Sequence, residues 1–179
     1  MDASPSVSPD GNVVTWEHCP ATCEIRQAVK TGAVWATTTS AAAHADSPDT
    51  NGSLLVYDAV SGAGADIVWQ PVSGGAPVVL QLPGFERNPS IAGDFIAFEG
   101  GPTPTSVNDL FLYDIATNRL YQVTSTPLVN EQLNDLALLA DGRLRLVWAG
   151  DEDGQSSRNV HAVTFRLEDE FLRVLSWGL

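Results

Sequence analysis

One pattern constrains this chain more than any other: an aromatic residue, followed a few positions later by an acidic or amide residue, recurs in phase four times. Trp16, Tyr57, Phe98 and Trp148 fall 41, 41 and 50 residues apart, and Glu24, Asp66, Asp109 and Asn159 follow them at similar spacing. Each aromatic ends a short apolar or β-branched run, such as Val13-Val14-Thr15-Trp16 or Phe95-Ile96-Ala97-Phe98, and each second marker opens another. Such residues fit the pleated surface of a strand. No stretch has the length or the 3.6-residue spacing of a good helix, so the expected class is all-β.

Each unit supplies about four candidate strands. Lys30-Thr31-Gly32, Ser73-Gly74-Gly75, Ala116-Thr117-Asn118 and Glu168-Asp169-Glu170 stand where the third strand of each unit turns into the fourth. A four-stranded antiparallel unit repeated every 40 to 50 residues or so is the signature of propeller blades, which stack face to face. The expected fold is a β-propeller of four four-stranded antiparallel blades, near 4–40, 41–84, 85–126 and 127–177, in a single domain spanning 1–179. The continuous apolar runs Leu54-Leu55-Val56-Tyr57 and Val78-Val79-Leu80 suit strands covered on both faces. Four blades either close as a ring, sealed by the first packing on the last, or form part of a larger propeller. In the second case bare end faces would drive self-association.

Several of these segments resemble a known family. Pro5 to Gly11 with its Ser8-Pro9-Asp10-Gly11 turn, Asn88-Pro89-Ser90-Ile91 leading into Phe95-Ile96-Ala97-Phe98, and Asp109-Leu110-Phe111-Leu112-Tyr113-Asp114 followed by Gln122-Val123-Thr124 resemble TolB-like propeller repeats. They are also similar to the propellers that precede the hydrolase domain of prolyl-oligopeptidase-type enzymes. The resemblance covers nearly the whole chain, closely in the first and third units and loosely in the others. It implies a fold and, for most such propellers, six blades and contact with other proteins, whereas this chain holds four units.

Charge narrows the partners. A formal charge of −13, with Lys30 the sole lysine, leaves no cationic face for a phosphate backbone or an anionic membrane surface. No apolar run approaches the ~20 residues of a membrane span, and the start Met1-Asp2-Ala3-Ser4-Pro5 has no signal-peptide pattern. Cys19 and Cys23 flank a three-residue loop between the second and third strands of the first unit, and a disulfide across it is the preferred reading. That pairing points to an oxidising compartment, hence an exported protein: periplasmic, cell-surface or secreted. Two free thiols, or half a zinc site with His18, are the alternatives.

Catalytic constellations are scarce. There is no Gly-x-Ser-x-Gly elbow, and His18, His44 and His161 show no pairing that sequence reveals. The acidic pairs Glu17 with Glu24, and Asp58 with Asp66, have the chemistry of glycoside hydrolysis, but a residue type repeated in every blade belongs to the blade's own turns and hydrogen bonds. Asp151-Glu152-Asp153-Gly154 resembles part of a calcium loop without its later ligands, and a solvated acidic turn is the simpler reading. Gly62-Ala63-Gly64 has no following helix and reads as a hairpin loop. The expectation is a chain with no catalytic residues, cofactor or metal, working as a protein- or peptide-binding scaffold. The connections at 40–52, 100–108 and 150–159 are the candidate binding loops. The alternatives are an accessory propeller that gates a hydrolase or peptidase, and a carbohydrate-binding propeller. The last requires Trp35, Trp69 or Trp177 to be exposed, whereas Trp35 and Trp69 are expected to be buried.

Overall fold

The computed structural model describes residues 1–41, 44–61, 64–151, 158–168 and 171–177, and all their regular structure is strand. No helix is long and apolar enough to cross a membrane. The first sheet runs β1 (Asp2–Val7), β2 (Val13–His18), β3 (Glu24–Thr31) and β4 (Val34–Ala41), antiparallel in chain order. The second comprises β5 (Ala45–Thr50), β6 (Leu54–Ser61), β7 (Gly64–Pro71) and β8 (Val78–Leu80). The third holds β9 (Phe85–Ala92), β10 (Phe95–Gly101), β11 (Asp109–Asp114) and β12 (Arg119–Gln122). The fourth holds β13 (Asn130–Leu138), β14 (Leu144–Asp151), β15 (Asn159–Glu168) and β16 (Phe171–Trp177). One parallel bridge, Ala65 to Phe85, joins β7 to β9 and makes the second and third sheets continuous.

The sheets stack face to face, and each apolar cluster is an interface between consecutive sheets. Val13, Ile25, Leu55, Tyr57 and Val68 lie between the first and second; Val56, Ile67, Trp69, Ile96, Phe98 and Tyr113 between the second and third; Ala97, Leu110, Leu112, Leu146, Trp148 and Phe165 between the third and fourth. Alternation sorts the side chains. In β6, Leu55 and Tyr57 face backward to the first sheet while Val56 faces forward to the third, which is why the run is apolar without a break.

β1 packs on β5, β5 on β9 and β9 on β13, whereas among the described residues the fourth strands make no comparable contact with one another. The sheets therefore fan out from an inner edge made by their first strands. Among the described residues the series does not return from the fourth sheet to the first, and three apolar interfaces serve four sheets. Of the two arrangements open from the sequence, the described residues form an open arc, in which face packing of the first sheet on the last is not seen.

Two local expectations are corrected. Residues 40–52 are not an irregular connection, because β4 continues to Ala41 and β5 occupies Ala45–Thr50. Val78 and Val79 are 47% and 43% exposed, since β8 is a short edge strand and only Leu80 reaches the core.

Candidate functional site

The aromatic and polar markers occupy one register. Trp16 pairs across its sheet with Arg26, Tyr57 with Val68, Phe98 with Phe111 and Trp148 with His161. Two residues further on, His18 pairs with Glu24, Ala59 with Asp66, Gly100 with Asp109 and Gly150 with Asn159. Tyr57, Phe98 and Trp148 are buried against the preceding sheet; Trp16, on a face with no preceding sheet, is half-buried. His161 stacks on Trp148 at 5.4 Å.

The residue after each aromatic faces forward. Glu17 accepts a hydrogen bond from the Ser47 backbone N–H at 2.7 Å, Asp58 from that of Asn88 at 2.8 Å and Glu99 from that of Leu133 at 2.7 Å. Each donor sits in a bulge of the next sheet's first strand with its backbone left-handed: φ is 51° at Ser47, 51° at Asn88 and 56° at Leu133. A bulge frees an N–H from the ladder, and a buried N–H needs an acceptor. The repeated carboxylates therefore tie each sheet to the next, and not to turns of their own sheet as the repetition suggested. Ser4 repeats the bulge in β1 with φ 47°, while the fourth sheet has Ala149 where the others carry the carboxylate.

Along the inner edge Asp49 accepts from the Ser6 hydroxyl and, at 2.7 Å, from the Ile91 N–H, so it bridges three sheets. The Ser90 hydroxyl donates to Asn134 at 2.8 Å. Burial raises the Asp49 carboxyl above its ordinary range. Asp58 is pushed up to about 7 by burial first and then by the charges of Asp46 and Glu17. Burial, with Glu17 beside it, also raises Asp46. Glu99 is raised by burial, which outweighs the hydrogen bonds from Asn88 and Leu133 and the Arg87 guanidinium 3.3 Å away. Sequence reasoning missed the bulges of the second sheet, although Ser4-Pro5-Ser6, Ser47-Pro48-Asp49 and Asn88-Pro89-Ser90 recur in phase.

Cys19 and Cys23 are joined as a disulfide, with Cα atoms 4.0 Å apart. Their sulfurs lie within 4.8 Å of a Glu17 oxygen, but disulfide sulfur offers no thiolate to a metal. Glu24 pairs with Arg26 at 2.8 Å, and Asp109 accepts from Gln122 and from the Thr126 N–H. Trp69 is buried, 5.5 Å from Tyr113. Trp35 is 46% exposed, contrary to expectation, because β4 edges the open end of the arc; Lys30 sits 5.9 Å above its ring. Asp153 and the Trp177 side chain lie outside the described residues.

No family model and no curated protein sequence matches the chain, but solved structures do. A protein described as TolB from Agrobacterium tumefaciens aligns at 14% identity over 97% of this chain and 64% of its own, with a TM-score of 0.66. The fold is that of a TolB-like β-propeller. TolB from Acinetobacter baumannii aligns at 13% identity over 99% of this chain and 44% of its own, again with a TM-score of 0.66. A puromycin-hydrolyzing peptidase of Mycobacterium tuberculosis aligns at 16% identity over 99% and 29%, with a TM-score of 0.63. The chain spans less than two-thirds of each, and at such identities the likeness is one of fold alone.

Proposed function

We propose that residues 1–179 form one non-catalytic propeller module of an exported protein, which binds a basic protein or peptide segment along the inner edge of the arc and its bordering loops. One observation carries this reading. The four first strands, side by side, hold Asp2, Asp46, Asp49 and Asp135, none of them fully buried, against a single cation, Arg87, which already faces Glu99. A rigid edge with that imbalance attracts cations and steers a basic chain toward itself. The repeated carboxylates serve as ties between sheets, which supports a scaffold role over an acid–base one. The Cys19–Cys23 disulfide supports an oxidising compartment.

Selection of displayed peptides against the purified chain, followed by calorimetry, tests the proposal. Selected peptides should be rich in Lys and Arg, should bind more weakly as salt rises, and should lose affinity to an Asp46→Asn, Asp135→Asn double variant. Neutral winners indifferent to salt and to those changes, or cleavage of the peptides by the chain, would contradict it.

A further inference from the structure

On the backward face of the third sheet lies a pocket of about 360 Å³ whose one buried titratable group has no role in the ties described above. Glu86 faces it. Glu86 pairs with Gly100 across β9 and β10, so alternation puts its side chain on the face of Ile96 and Phe98, while Arg87 turns the other way toward Glu99. Only 4% of Glu86 is exposed, and its Oε2 has no hydrogen-bond partner among the described residues. The rest of the wall is largely apolar, with Leu82, Val107, Phe111 and Leu120, and no lysine or arginine lines it.

Three glycines let the groups around the pocket press close on the backbone. A Cβ on Gly100 would come 2.9 Å from the Phe111 ring, and one on Gly101 would come 2.5 Å from the Ser106 hydroxyl. Gly84, at φ 145°, lets the entering strand press so close that a Cβ there would meet the Gly101 carbonyl at 2.7 Å.

A buried carboxylate oxygen without a donor is costly, and in an apolar cavity the group that relieves it is a cation that brings its own hydrogen-bond donors. A divalent metal needs six or more oxygens, and the wall offers the carboxylates of Glu86 and Asp109, the latter already accepting from Gln122 and Thr126. An anion would meet only like charge. The half-buried Phe111 ring, stacked on Phe98 with centroids 5.6 Å apart, gives a flat wall of the kind that attracts ammonium groups. We propose that this pocket binds a small organic cation, an ammonium on an apolar stem, with Glu86 as its counter-ion and the Phe111, Leu82 and Leu120 wall around the stem. The site is independent of the acidic inner edge. Burial, with the charge of Asp66, pushes the Glu86 carboxyl up to about 7, as a carboxylate lacking its counter-ion should be.

The test uses the whole chain with n-butylammonium and its neutral isostere 1-butanol, followed by amide NMR at pH 8. Butylammonium should shift the Glu86, Gly100 and Gly101 amides saturably and bind at least about tenfold tighter than butanol, and Glu86→Gln should reduce that preference to about twofold or less. A blocked Ala-Lys-Ala peptide identifies the source. Tighter binding than butylammonium supports the site and assigns it to a protein side chain; weaker binding supports the site and assigns it to a free amine. Equal binding of butanol and butylammonium to the unaltered chain, a measurement that needs no variant to fold, would overturn the proposal. So would an undiminished preference in Glu86→Gln, or no saturable shift with any of the probes.

Discussion

The backward faces of the first and third sheets are built on one register and differ at nearly every position. In the third sheet that face holds Ile96, Phe98 and Gly100 on β10 with Phe111 and Tyr113 on β11 and Ile115 just after it. In the first, the matching positions hold Val14, Trp16 and His18 with Arg26, Ala28 and Lys30. Phe98 is fully buried, whereas Trp16 and Arg26 are half-buried and Lys30 is exposed. Asp2 bonds to His18 at 2.7 Å and Glu24 to Arg26 at 2.8 Å on the first sheet. The forward face of the fourth sheet shows the same shift. Arg145 donates to Thr164 at 3.0 Å, Ala149 stands where Glu99 stands in the third sheet, and Val160 is 74% exposed. A stack of repeats needs polar groups on the outer faces of its terminal members, and both end faces here are mixed, with charged groups beside Trp16 and Trp35 at one end and beside Val147, Ala149 and Val160 at the other. Charge on an end face weakens the drive to cover it, so the self-association of an incomplete ring is expected to be weak here.

The sharpest break between the two faces is a pair of equivalent truncations. Phe98→Ala opens a cavity in a face covered by the second sheet and should cost about 3–5 kcal/mol in denaturant unfolding. Trp16→Ala, at the same register on the open face, should cost about 1 kcal/mol or less. Similar costs at both positions would mean that the first face is covered.

The ties between sheets give a pH signature. Folding raises Asp58 from its ordinary 3.8 to about 7, so in that range the folded chain holds a proton the unfolded chain has released. Stability contributed by this group is therefore full below about 4 and falls as pH rises to about 7. Asp58→Asn keeps an acceptor for the Asn88 N–H without the buried charge. It should match the unaltered chain at pH 4 and exceed it by something on the order of 1–3 kcal/mol at pH 8.

Smaller effects mark the end sheets. Reducing Cys19–Cys23 releases a loop with a sequence separation of only 4 and should cost about 2 kcal/mol or less, with hydrogen exchange quickening in β2 and β3 and not in β10 and β11. Leu133 holds φ 56° while 61% exposed, a conformation that Asn88 adopts at the same place in the third sheet. Leu133→Asn should gain about 0.5–1 kcal/mol by thermal melting, because the leucine side chain is strained there and buries little.

The second and third strands were legible because their apolar runs and aromatic markers report burial between sheets directly. The first strand of the second sheet was not. Ala45-Asp46-Ser47-Pro48-Asp49-Thr50 has proline, aspartate and little apolar content, and propensity alone reads it as a loop. It is a strand because Glu17 and Ile91 hold it from neighbouring sheets, and those contacts are long-range. The same holds for the inner edge: Glu17 and Asp58 were visible as acidic residues, but their forward direction depends on strand alternation across a stack. The pocket before Glu86 gives no sign in sequence and appears only when β9 is laid against β10.

Sedimentation equilibrium combined with small-angle scattering tests most directly whether the arc stays open and single in water. The prediction is a 19.0 kDa monomer up to concentrations of about 100 μM, with the scattering of an open arc of four sheets. A stable dimer, or a monomer whose scattering requires the first sheet to lie against the fourth, would contradict it.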